Sequence, residues 1–187
     1  AQALLPRCIE DRRWFHQHAE LSFQEFETAA YIEKALEEIP GLVLSRPTAT
    51  SVMAVLKTGR PGRCLAIRAD IDALPIDEAN ELPYRSCRQG AMHACGHDGH
   101  AAILLNAVRL LAAKQKDLAG ELRFIFQHAE ETPPGGAVEV IRAGDCAQAL
   151  MYEIADMESA IAGSPESMYL GYTEDVMDLM KKKKKSW

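Results

Sequence analysis

Phe23, Phe26, Ala30, Leu36 and Ile39 recur near helical spacing and predict a helix that opens at Ser22 and is closed by Pro40-Gly41. Glu25 stands three residues after Ser22, the spacing of a capping box. A first helix is expected over Arg7 to His18. The pattern then changes. Val52 to Leu56 and Cys64 to Ile67 are short apolar runs flanking KTGRPGR, whose Gly59, Pro61 and Gly62 are turn formers. They predict two antiparallel strands joined by a tight loop. The second run leads into the acidic segment RADIDALP, stopped by Pro75, and Asp77 to Gly90 reads as irregular loop. AAILLNAVRLLAAKQ predicts an amphipathic helix, with a break at Gly120. Glu121 to Gln127 (ELRFIFQ) predicts a strand and HAEETPPGG a loop. Ala137 to Arg142 predicts a short helix with Gly144 just past its end.

Alternating helices and strands are an α/β pattern. In such folds reactive groups collect where strands end and loops begin. The acidic segment after Ile67 and the Glu-Glu pair after Gln127 both hold that position. There is no internal repeat. From Asp145 onward the pattern weakens to a partly helical stretch, a break at Gly163 to Pro165, a further apolar run and five lysines. The expected organisation is therefore a structured portion over 1–144 and a divergent tail over 145–187.

Length and composition narrow the class. A chain of 187 residues can bury one core of its own. With 48% hydrophobic and 26% charged residues, it is neither wholly disordered nor fibrous. The richest apolar stretch, Ala101 to Ala113, is interrupted by Asn106 and Arg109 and falls short of the roughly 18 residues a membrane helix needs. The opening AQALLPRCIEDRRWF has no basic segment followed by an apolar one, so no secretory signal is read in it. Removing Lys181 to Lys185 takes Lys+Arg from 21 to 16 against 27 acids, turning a net charge of −6 into −11 for the body. A body of that sign repels phosphate backbones, which argues against nucleic acid as the main partner; no membrane partner is expected either. Cys8, Cys64, Cys87, Cys95 and Cys146 form no CxxC pair and no even framework, which suits a reducing compartment, the cytoplasm by default.

The densest chemistry is His93, Cys95, His97, Asp98 and His100 within MHACGHDGH. Imidazole and thiolate suit zinc and other late transition metals, and Gly96 and Gly99 let neighbouring side chains converge. Chance histidines at a helix start are the bland alternative; three His, one Cys and one Asp at this density favour metal. Glu130-Glu131 alone would be a solvated surface pair. After an apolar strand, in a chain with a His/Cys cluster, one carboxylate can hold a metal while the other takes a proton from water. Asp70 and Asp72, two apart in an extended segment, face the same way and either orient a ligand imidazole or cap the following turn. His16 and His18 read as structural or surface groups; His128 can reach the site or face solvent. Cys95 as a nucleophile with His97 as its base is the chemical rival to Cys95 as a ligand.

RRWFHQHAELSFQEFETAAYI, LAIRADIDALPIDE, MHACGHDGHAAILL and FIFQHAEETPPGGA, in this order, closely resemble the amidohydrolase branch of the aminoacylase-like metallopeptidases. That branch holds hippurate hydrolases, N-acyl-amino-acid hydrolases and auxin-conjugate hydrolases. The resemblance spans roughly Arg12 to Gly144. It implies a zinc-exopeptidase-like catalytic domain, with a central β-sheet flanked by helices. It implies Cys95, His97 and Glu131 as metal ligands and Glu130 as general base; Asp70, Asp72 and His100 stand beside them as outer-shell candidates from the reading of the residues themselves. The cofactor it implies is a divalent metal (Mn, Zn, Co or Ni), two ions in the family. The substrate class it implies is a small N-acyl amino acid or similar conjugate.

The departures from that family are specific. Its members carry a further His ligand after the Glu pair and another near the C-terminus, whereas no histidine follows His128 here. They usually have Pro where His128 and Ala19 stand. The resemblance thus implies an incomplete, N-terminal part of the catalytic domain, holding one ion or none. Exposed sheet edges in such a part lead to an expectation of self-association. The alternative is a truncated, non-catalytic metal-binding member of the same family.

Overall fold

The computed structural model describes residues 2–143. After a 3-10 turn over Gln2–Leu4, the elements are α1 (Leu5–Gln17), α2 (Phe26–Glu37), β1 (Leu42–Ser45), β2 (Val52–Lys57), β3 (Cys64–Asp70), α3 (His97–Ala113), β4 (Glu121–Gln127) and α4 (Gly136–Ala143). Gly144 and the tail over 145–187 lie outside the described residues. The four strands form one sheet in the order β1-β2-β4-β3. β1 and β2 pair antiparallel, as do β2 and β4, while β3 runs parallel to β4.

The period-two pattern of the central strands explains the layering. Val52, Ala54 and Leu56 of β2 and Leu122, Phe124 and Phe126 of β4 point to one face. There they meet Phe15 of α1, Ile32 and Leu36 of α2, and Leu104, Leu105 and Val108 of α3. Met53 and Ile125 point to the opposite face and pack on Val140 and Ile141 of α4. Helices therefore cover both faces, as the α/β pattern predicts. No described helix is long and apolar enough to cross a membrane.

Two local expectations are corrected. β2 and β3 do not form a hairpin, because β4 lies between them and pairs with both. The loop joining β2 to β3 arches over the start of β4: Thr58 N–H donates to the Gly120 carbonyl at 3.2 Å, and Gly120 N–H donates to the Arg60 carbonyl at 2.9 Å. Gly62 and Gly120 permit this crossing, since a Cβ on either would collide with the other segment's backbone. Ser22 also does not cap α2, which begins at Phe26. Its first-turn amides are taken by Glu20, which accepts from Glu27 N–H (3.2 Å) and Thr28 N–H (2.8 Å). The Ser22 hydroxyl donates instead to Asp72 Oδ2 at 2.7 Å. The buried stripe of α2 is Ala29, Ile32, Ala35 and Leu36, and Phe26 lies out in solvent. β1 was not anticipated from the apolar pattern.

Candidate metal centre

β3 and β4 are the parallel pair, so their carboxyl ends open onto the same side of the sheet. β3 ends at Asp70 and runs on to Asp72; β4 ends at Gln127 and runs on to Glu130-Glu131. The third contributor is the start of α3, where Gly96, at φ +92°, turns the chain into the helix in a conformation glycine adopts without steric cost. These three segments bring Cys95, His97 and Glu131 together, with one donor atom from each lying within 4.8 Å of the others.

His97 is buried and its two nitrogens have different surroundings. Nδ1 lies 3.0 Å from the Asp72 carbonyl and 3.2 Å from Asp72 Oδ1. Both partners are acceptors, so Nδ1 carries the proton and Nε2 is the nitrogen left to act as a donor to a metal. Three carboxylates surround Nε2: Glu131 Oε1 at 3.7 Å, Asp70 Oδ2 at 3.9 Å and Glu130 Oε2 at 4.0 Å. Burial draws the His97 pKa down, but the Asp72 hydrogen bond and the charges of Asp70, Asp72 and Glu131 outweigh it and lift it to about 8. For Cys95, the Glu131 hydrogen bond first, then burial and the nearby acids, push the thiol up to about 11. Burial, then Asp70 and Glu131, also raise Glu130 above the usual carboxylate range.

Glu131 Oε1 is buried without a hydrogen-bond partner among the described residues. An orphaned carboxylate oxygen, an imidazole nitrogen and a thiol facing one another fit a divalent cation, which would relieve the crowding of acids. Thiolate, imidazole and carboxylate are a zinc-type donor set, and three protein donors leave a coordination position open. A second set, Asp70, His97 and His100, also gathers within 4.8 Å. It needs the same His97 Nε2, and a single lone pair serves one ion, so the two sets exclude each other.

The two aspartates divide around His97. Asp72 sits behind the ring at Nδ1, whereas Asp70 faces Nε2 and pairs with Arg68. They do not act as a pair, because β3 ends at Asp70 and the two-residue alternation ends with it. His100 is half exposed, with Nδ1 4.0 Å from Asp70 Oδ2. Asp98, in the same dense motif, turns away: it accepts from Arg12 Nε at 3.0 Å and lies 2.8 Å from His16 Nδ1. His16 is buried between Asp98 and Glu78, a structural role. His128 does not face solvent but is buried, with Nε2 3.0 Å from Glu139. Burial holds the fully enclosed His93 down at about 4. Cys95 acts as the thiolate whether it is nucleophile or ligand, and the acids beside it oppose that form in both roles; a cation shared with Glu131 would offset them only in the ligand role. Sequence reasoning missed Glu20 and took Ser22 and Glu25 only as a capping box, not as supports of this region.

A family-wide sequence profile described as peptidase family M20/M25/M40 matches residues 66–172. The chain belongs to this family. The match runs past residue 144, where the motif resemblance stops. The N-acyl-L-amino acid amidohydrolase of Geobacillus stearothermophilus is 54% identical over 133 residues, covering 71% of this chain and 36% of the relative. N-acetyl-L-cysteine deacetylase of Bacillus subtilis is 51% identical over 140 residues, covering 74% of this chain and 33% of the relative. Among solved structures, a dinuclear metal-binding peptidase of family M20 from Bacillus subtilis superposes with a TM-score of 0.73 at 45% identity, covering 78% of this chain and 40% of that one. A Staphylococcus aureus aminohydrolase gives 0.75 at 41% identity, covering 78% and 37%. The chain thus spans about a third of the length of the curated relatives it matches.

Proposed function

We propose that this chain is the N-terminal part of the catalytic domain of a metal-dependent amidohydrolase that cleaves the amide bond of small N-acyl amino acids or similar conjugates. The observation that carries the reading is the convergence of Cys95, His97 and Glu131, with Glu130 beside them. Those three residues hold a divalent ion of the Mn, Zn, Co or Ni class. When bound, the ion supplies positive charge that polarises an amide carbonyl and makes a water more acidic. Glu130 is the base. Its raised pKa improves it as a proton acceptor, and its carboxylate is 41% exposed, so it can take a proton from water and deliver it to the departing nitrogen. Asp72 holds the His97 tautomer through Nδ1. The similarity to an N-acyl-L-amino acid amidohydrolase and an N-acetyl-L-cysteine deacetylase supports the substrate class. The four described cysteines are unpaired, which supports a reducing compartment such as the cytoplasm.

A second reading, metal binding without turnover, rests on ligand count: each donor set among the described residues has three members. One experiment separates the two. Hydrolysis of N-acyl amino acids by the chain, supplied with manganese, zinc or cobalt, is compared with that of Glu130→Gln. Turnover lost in the variant, with metal binding kept, is the expected result. Equal rates in the two chains defeat the mechanism, and binding without turnover in both selects the second reading.

A further inference from the structure

Glu25 is fully buried and meets no cation among the described residues. Asp11 and Asp98, buried as deeply, face Arg109 and Arg12. An unpaired carboxylate is expensive to enclose unless hydrogen-bond donors meet its oxygens. Oε1 accepts the backbone N–H of Ala129 at 2.7 Å, across 104 residues of chain. Oε2 is buried with no hydrogen-bond partner of its own among the described residues, although the Thr50 hydroxyl also lies against the carboxylate.

Ala129 is at φ +48°, a left-handed conformation that a residue with a Cβ adopts at a cost. Both of its peptide groups are tied: N–H to Glu25, and its carbonyl to Gly136 N–H at 2.8 Å. Glu130 follows directly. The next amide, Glu131 N–H, donates to Asp72 Oδ2 at 3.0 Å. Glu130 is therefore strung between two anchored residues. Phe23, itself at φ +66°, lies edge-on to His128 at 5.6 Å and keeps the entry to α2 against this turn.

We propose that Glu25 is a positioning residue: by anchoring the left-handed turn at Ala129, it sets the direction in which Glu130 and Glu131 face His97. The inference rests on the reading of Glu131 as ligand and Glu130 as base. Glutamine has the same shape and keeps an acceptor oxygen for Ala129 N–H, whereas alanine has none.

The test is titration of the chain with Co²⁺, following the thiolate charge-transfer and visible d–d absorption. Glu25→Ala is expected to bind about tenfold more weakly, the lower end of what losing an outer-shell support costs, with an altered d–d spectrum. Glu25→Gln is expected to match the wild-type affinity and spectrum. A merely structural role would lower the melting temperature without moving the spectrum of the folded variant. Wild-type affinity and spectrum in folded Glu25→Ala overturn the positioning role alone. A wild-type chain that binds no Co²⁺ overturns the metal-centre reading and the positioning role with it. If Glu25→Ala fails to fold, adding Ala129→Gly removes the left-handed cost and leaves the turn unanchored; that double variant is expected to stay weak, and wild-type binding by it refutes the proposal. Amide exchange in the wild-type chain is a check no variant can spoil: slow exchange is expected at Ala129, and exchange as fast as in open loops refutes the anchor.

Discussion

Asp72→Asn strikes the centre where one side chain serves three others. Asp72 faces His97 Nδ1 at 3.2 Å and accepts from the Ser22 hydroxyl at 2.7 Å and Glu131 N–H at 3.0 Å. Burial by itself would raise its pKa, but these donors outweigh burial and hold it at about 2, against an ordinary 3.8. That gap corresponds to roughly 2 kcal/mol of preference for the charged form in the folded chain. Asparagine presents one acceptor and two N–H donors where three donors converge, so an N–H is forced against an N–H. A loss of roughly 2 kcal/mol is expected at neutral pH. Because the folded pKa lies below the unfolded one, this stabilisation is complete above 3.8 and is lost as pH falls through about 2. Urea unfolding of both chains should therefore show a gap that closes as pH falls below about 4 and, because Asp72 also helps hold His97 up at about 8, narrows as pH rises from about 6.5 towards 8. The change also removes the charge and acceptor that raise His97 to about 8, so burial should then prevail and its titration should move down. Metal affinity should fall by roughly 10- to 100-fold, as when an imidazole ligand loses its orienting partner. Equal stability at neutral pH, together with an unmoved His97 titration by NMR, would refute the reasoning.

Metal uptake should release protons, since His97, held up at about 8, and Cys95, pushed up to about 11, must both lose one to bind. Close to two protons per ion are expected at neutral pH, with affinity rising with pH; calorimetry in buffers of different ionisation heat measures the count, and proton-independent binding contradicts the donor set. Phe124→Ala empties a fully buried position at the middle of β4 and should cost about 3–5 kcal/mol in urea unfolding. A loss below about 1 kcal/mol would mean the core is not built on this strand.

Some elements were legible because their causes are local. β4 runs over Glu121–Gln127 as expected, since Gly120 breaks the chain and Leu122, Phe124 and Phe126 alternate with the other face. α3 was legible from its apolar stripe, although it begins earlier, at His97, because Gly96 turns the chain there. The donor types of the candidate centre were legible from their density in MHACGHDGH and from the ordered motifs of the family. Ser22 was misread because a capping box is judged within four residues, while its actual partner, Asp72, lies 50 residues away.

The α/β character, the identity of the central strands and the residue types able to hold a cation follow from the order of residues alone, because period, turn residues and donor chemistry are properties of short segments. That β4 enters between β2 and β3, that Asp70 and Asp72 take opposite sides of His97, and that Glu25 reaches the turn before Glu130 emerge only from packing. Those outcomes depend on which distant backbones can approach one another and which buried polar groups find partners, and neither quantity exists until the chain is packed.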